Sequence, residues 1–139
     1  MPIRDLLQAQ IEQMGQAIGK MISKFLGLKN DGKMEEAIQF SQTTMQEKLG
    51  LDFEKLVRLE KEKFRLFFKD KPYSAQSFEM LSTYFYEVGL YKKANGSKEA
   101  KMVLEKAIDL LKLADKVENS LSMERLAKRE EIERIIEEN

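Results

Sequence analysis

One pattern narrows the fold of this chain more than any other. Leu7, Ile11, Met14, Ile18, Met21, Phe25 and Leu28 recur at intervals of 4, 3, 4, 3, 4 and 3 residues. That is the a/d ladder of an amphipathic helix, kept up over three heptads. Ile3, Ile22 and Leu26 widen its apolar face. A helix of this kind must bury its stripe, either against helices of its own chain or against a second copy. No period-two apolar run occurs anywhere, so no strand is expected. Two prolines and seven glycines in 139 residues are also few for the turns of an all-β protein. The expected class is all-α.

The rest of the chain divides at clear punctuation. The first helix is expected from about Pro2 to Leu28. "LKNDGK" interrupts it: Asn30 or Asp31 can cap a helix, Gly32 can turn, and Glu35 and Glu36 suit a helix N-terminus. Helix two carries Met34, Ala37, Ile38, Ser41, Met45 and Leu49, with Gly50 just past its end. Asp52 is expected to cap one third helix running to Lys69, with Phe53, Leu56, Val57, Phe64, Phe67 and Phe68 on one side. In "KDKPYS", Pro72 disfavours α at Lys71 and Ser74 can start the next helix. That helix buries Phe78, Leu81, Phe85 and Val88. "KKANGSKE" turns the chain, with Ser97 as the expected N-cap of a fifth helix bearing Ala100, Val103, Leu104, Ala107, Leu111 and Ala114. "NSLS" weakens the pattern near Ser120 and Ser122, and Met123 to Glu138 is helical in propensity but loosely amphipathic. Gly15 and Gly19 each cost about 1 kcal/mol inside a helix, which predicts a close neighbour along that line.

Two windows repeat: "FLGLKNDGKMEEAIQFSQTTM" and "EVGLYKKANGSKEAKMVLEKAI". Each reads helix, short turn ending in Gly, then helix with Ala near its start. Ala37, Ser41 and Thr44 correspond to Ala100, Leu104 and Ala107, at plus four and plus seven. These windows resemble the tetratricopeptide (TPR) helix hairpin. In the second copy Phe85, Val88 and Gly89 fall where that family places its aromatic, Leu and Gly. Gly96 falls at its turn, and Ala100, Leu104 and Ala107 at its second-helix signature. The first copy keeps Gly32, Met34 and Ala37. "IEQMGQAIGKMISKFLGLKNDGKMEEAIQF" and the following "LGLD" also resemble an uncharacterised family of small bacterial helical proteins of unknown function. The resemblance implies a single TPR-like domain over residues 1–139: an antiparallel helix-hairpin array of five to six helices in a right-handed stack. Hairpins are expected near 3–49 and 74–118, an intervening helix at 52–69 and a C-terminal helix at 123–138.

Composition excludes several kinds of chemistry. Cys and His are both absent, which removes thiolate and imidazole nucleophile systems, the usual zinc sites and disulfides. No Gly-rich phosphate loop is present. The expectation is therefore not an enzyme, with no cofactor and no metal. The Glu-rich end "KREEIERIIEEN" reads as a solvated helix face. Lys plus Arg and Asp plus Glu both number 24, so no electrostatic footprint for nucleic acid exists. "YFYEVGLYKK" sets aromatics beside lysines, but at helical spacing, with Phe85 needed in a core. No unbroken apolar stretch marks a signal peptide or membrane span, so a cytoplasmic location and no membrane partner are expected.

Two surfaces remain. In a TPR-like stack the first helices of the hairpins line a concave face. The resemblance places Ile22, Leu26, Lys29 and Asn30 there from the first hairpin, and Tyr86, Leu90 and Lys93 from the second. Apolar, amide and Lys groups of this kind suit an extended or helical peptide. The expected function is a non-catalytic scaffold for an unidentified protein or peptide. The competing reading is that the protein's own third or last helix covers these residues. The second surface is the N-terminal seam of Leu7, Ile11, Met14 and Ile18. It either packs within the chain or makes a structural homo-oligomer, such as a homodimer.

Overall fold

A computed structural model describes residues 3–138 of the chain; Pro2, taken above as the start of the first helix, lies outside them. Among the described residues every regular element is helical: α1 (Ile3–Asn30), α2 (Met34–Thr44), α3 (Phe53–Arg58), α4 (Lys61–Lys69), α5 (Ala75–Ala94), α6 (Ala100–Glu118) and α7 (Met123–Glu137). A π-helical turn, Met45–Leu49, extends α2 to the left-handed Gly50. The all-α class is thus as expected, with seven α-helices where five to six were expected.

The extra helix comes from a break in the expected third one. Leu59 and Glu60 are both extended, with ψ of 142° and 155°. The reason lies in what the aromatic rings reach. Phe53 packs on Phe85 at 4.8 Å, and Phe68 packs on Phe78 at 5.7 Å. In a straight helix residues 53 and 68 would be about 22 Å apart along the axis, whereas residues 78 and 85 are about 10 Å apart. The break shortens the run so that both rings meet α5. Phe64 completes the cluster, edge-on to Phe68 at 5.0 Å.

The core joins these rings to α1 and α6. Ile18, Met21 and Phe25 are buried, and Phe25 meets Tyr84 edge-on at 4.9 Å. Burial pushes the Tyr84 phenol up, so it stays protonated and shares a 2.7 Å hydrogen bond with Ser41 of α2. That bond gives the small residue at the plus-four place of the first window a structural role. In the second window Leu104 fills the equivalent place, packed so closely on Gly89 that a Cβ there would lie 2.6 Å from its Cδ2.

Three turns close in the same way. Gly32 sits at φ +76°, with its N–H donating to Lys29 and that of Lys33 to Leu28. Gly96 sits at φ +71°, with Lys93 and Lys92 accepting in the same two roles. Asn119 does likewise at φ 55°, with Lys116 and Asp115 accepting. Each is a Schellman closure, which satisfies the last carbonyls of a helix with a left-handed residue. The helix caps differ from expectation at two places. Neither Asn30 nor Asp31 caps α2: α1 itself runs through Asn30, and α2 starts after Lys33 with no side-chain cap. Ser97 accepts from the Glu99 N–H in the turn before α6 rather than capping it directly.

Helix α1 is 28 residues long and α2 only 11. The buried residues of α1 therefore begin at Ile18. Its first turns, residues 3–10, project, leaving Ile3 76% exposed and Leu6 and Leu7 each 50% exposed. The pattern of the whole ladder is helical, but only its C-terminal half is core.

Candidate functional site

Much of the polar chemistry of the molecule collects where α7 lies against α5 and α6. Glu79, Tyr86 and Lys93 are spaced by seven residues, which sets them in one line along α5. Each engages α7. Arg125 reaches Glu79 at 3.2 Å. Tyr86 donates to Glu131 at 3.1 Å, and the Lys128 ammonium lies 3.8 Å from the Tyr86 ring centroid. Lys93 donates to the carbonyl of Ile135 and, at 3.0 Å, to that of Glu138. The order of these contacts makes α7 run parallel to α5. Lys93 thereby supplies a cation to the negative end of the α7 dipole.

Arg125 anchors the start of α7. Its guanidinium is buried and also holds Asp115 and Glu118, each at 2.6 Å. These partners, Glu118 first, push its pKa up and keep it charged. In return the Arg125 hydrogen bond holds Glu118 below the ordinary carboxylate value. Ser122 caps the helix by accepting from the Arg125 N–H at 3.2 Å. Tyr86 is pushed up to about 12, first by burial and then by Glu131, so it remains a donor at neutral pH. Apolar contact joins them: Ile132 alone of α7's aliphatic side chains is fully buried, with Ile135 and Ile136 packed at the margin.

The seven residues expected on the concave face have unequal settings. Ile22 is buried in the core, and Leu26 packs half-buried against it. Lys29 pairs with Glu87 at 2.5 Å and so ties the end of α1 to α5. Asn30 is exposed at the last residue of α1, and Leu90 is half-buried on α5. Tyr86 and Lys93 are the two held by α7. Of the seam residues, Leu7 is exposed, Ile11 and Met14 are half-buried and Ile18 is buried.

Other sequence features resolve into packing. Tyr84 of "YFYEVGLYKK" is fully buried, and Lys92 lies 3.9 Å from Glu99. Among the described residues no three acidic side chains converge on a metal-sized site. No described helix is long and apolar enough to cross a membrane. Sequence reasoning missed Arg125, Glu79 and Asp115. The heptad spacing of Glu79, Tyr86 and Lys93 was the available signal, but it is polar and so invisible to a search for apolar stripes.

No family model, curated protein or solved structure matches the chain. The arrangement itself therefore carries the functional reading. It holds α7, a helix of the same chain, through paired charges and one aromatic ring.

Proposed function

We propose that this chain is a non-catalytic protein- or peptide-binding scaffold of TPR-like, right-handed stacked hairpins, working in the cytoplasm. Two facts support the stack: α1–α2 and α5–α6 close with the same turn, and α1 packs beside α5. The face formed by α1 and α5 is the binding surface, with Leu26, Lys29, Asn30, Tyr86, Leu90 and Lys93 its contact residues and Ile22 supporting them from the core. The observation that carries this reading is α7. It lies along the Tyr86–Lys93 side of α5 and packs on α6, held by polar contacts together with Ile132, Ile135 and Ile136, so this side of α5 has the chemistry to take a helix. A partner helix would compete with α7 for Tyr86 and Lys93.

The test is a tagged pull-down from native lysate, run beside a Tyr86→Ala, Leu90→Ala double variant. A stoichiometric foreign partner that the variant loses supports the scaffold. Recovery of the protein alone, equally with both forms, overturns it.

A second reading has its own observation. The exposed Ile3, Leu6 and Leu7 continue the packed stripe of α1 beyond the body of the molecule. That seam, with Ile11, Met14 and Ile18, fits a structural homo-oligomer.

A further inference from the structure

Away from α5 and α7, charge is unevenly placed. Lys61, Arg65 and Lys69 stand four residues apart on α4, hence in one row along the helix. Lys112 and Lys116 make a second row on α6. The rows face each other across a cleft of about 290 Å³, which Lys61, Arg65, Lys112 and Lys116 line with Asp109 and Leu113. A neighbouring cleft of about 400 Å³ continues it past Lys69, Lys71 and Val117. Together the two clefts hold six cationic side chains and two carboxylates, Glu62 and Asp109. The chain as a whole has zero net charge, so this is a local excess.

On their far side Lys61 and Lys112 border a cleft with Glu60, Glu105, Glu133 and Glu137, but direct pairing in the groove is sparse. Arg65 pairs with Glu62 at 3.1 Å. Lys61, Lys69, Lys112 and Lys116 form no ion pair among the described residues. The nearness of Lys61 is the first cause that pulls the Lys112 ammonium below its ordinary pKa. Burial raises the Asp109 carboxyl, while the nearby Lys61, Lys106 and Lys112 pull it down. Beside these cations the surface is apolar. Leu66 is 64% exposed and Val117 52% exposed.

We propose that the α4–α6 groove docks an acidic amphipathic peptide segment of a partner protein. Its carboxylates, one helical turn apart, sit between the two cationic rows, and its apolar side chains cover Leu66 and Val117. The cations speed encounter and set orientation, while the apolar contact supplies affinity. A phosphodiester strand would use the cations alone. The groove offers it no free aromatic face for stacking: Phe68 and Phe78 are buried, and the Lys71 ammonium lies over the Phe67 ring. The groove shares no residue with the α1–α5 face, so it stands or falls separately from the scaffold reading above.

The experiment is fluorescence anisotropy of the full chain with a labelled synthetic helix that carries Glu at every fourth place and Leu on the adjoining face. Poly-glutamate and a single-stranded oligonucleotide are titrated in parallel. Arg65→Glu with Lys116→Glu, and separately Val117→Asp, change exposed positions, and circular dichroism checks that each variant folds. Saturable binding is expected, weakened about tenfold or more by the charge reversal and several-fold by Val117→Asp. It should be unchanged in the Tyr86→Ala, Leu90→Ala variant. Absence of saturable binding, or equal binding by the charge-reversed variant, overturns the proposal. So does equal affinity for poly-glutamate or the oligonucleotide, which would reduce the groove to plain anion attraction. Loss of binding in the Tyr86→Ala, Leu90→Ala variant would also overturn it, by placing the peptide on the other face.

Discussion

The α1–α2 hairpin and the α5–α6 hairpin share a turn and differ in almost everything after it. Gly32 and Gly96 take the same left-handed conformation and the same pair of hydrogen bonds. Helices α5 and α6 are 20 and 19 residues long, so each covers the other along its length. Helix α2 is much shorter than α1, and the first turns of α1, residues 3–10, are left without cover. The turn sets the direction of the second helix. The length of that helix decides whether an apolar ladder becomes core or surface.

Five substitutions, in three steps, sharpen the contrast. The largest effect is expected from Phe85→Ala set against Leu7→Ala. Phe85 is fully buried among Phe53, Phe64 and Tyr84, and its loss should cost about 3–5 kcal/mol in urea unfolding. Leu7→Ala on the projecting start should change stability by no more than about 0.5 kcal/mol. Equal losses would mean that the overhang is packed. Sedimentation equilibrium on the Leu7 variant tests the homo-oligomer as well: a wild-type dimer that becomes a monomer supports the seam, and a monomeric wild type removes it.

Next comes Gly89→Ala. The added Cβ meets the buried Leu104 at both Cδ2 and Cγ, 2.6 and 2.8 Å away. Overpacking of this kind costs about 1–3 kcal/mol, partly offset by better helix propensity. A net fall in melting temperature is expected. A rise would show that Leu104 can move aside.

The smallest change should be favourable. Gly15 and Gly19 face α5, as their spacing implied, but without the close approach expected there. A Cβ would sit 3.6 Å from the Ser77 hydroxyl or 3.9 Å from the Met80 sulfur, both ordinary contacts. Gly15→Ala and Gly19→Ala should each stabilise by up to about 1 kcal/mol, read as a higher denaturation midpoint. A loss at either would place a tighter neighbour there. The tight helix contact belongs to the second hairpin, at Gly89.

These outcomes bear on what the sequence made legible. Helix identity followed from apolar period and from Asp52, Ser74 and Gly50, all of which act as their residue types imply. The break at Leu59 and Glu60 did not, because the apolar residues before and after it keep one face even in an unbroken helix. Only the distance between Phe78 and Phe85 on another element demands it. The third turn was legible as the break at "NSLS", but its left-handed closure was not, because Asn119 takes the place that glycine holds in the other two. Of the candidate site, the helices that carry the α1 and α5 positions were legible, though Ile22 lies in the core. Cover by the last helix was one of two open readings; α7 holds Tyr86 and Lys93, and the sequence could not choose it because hydrogen bonds and ion pairs leave no apolar period to read.

The projecting start of α1 has one further consequence. It is continuous with the core through unbroken helix, so it acts as a rigid arm with a fixed rotational phase. One residue inserted between the arm and Ile18 would turn the outer apolar stripe by about 100° relative to the body, while seven would return it to within about 20°. Any surface that meets both the arm and the body at once must therefore read chain length as strictly as it reads side chains.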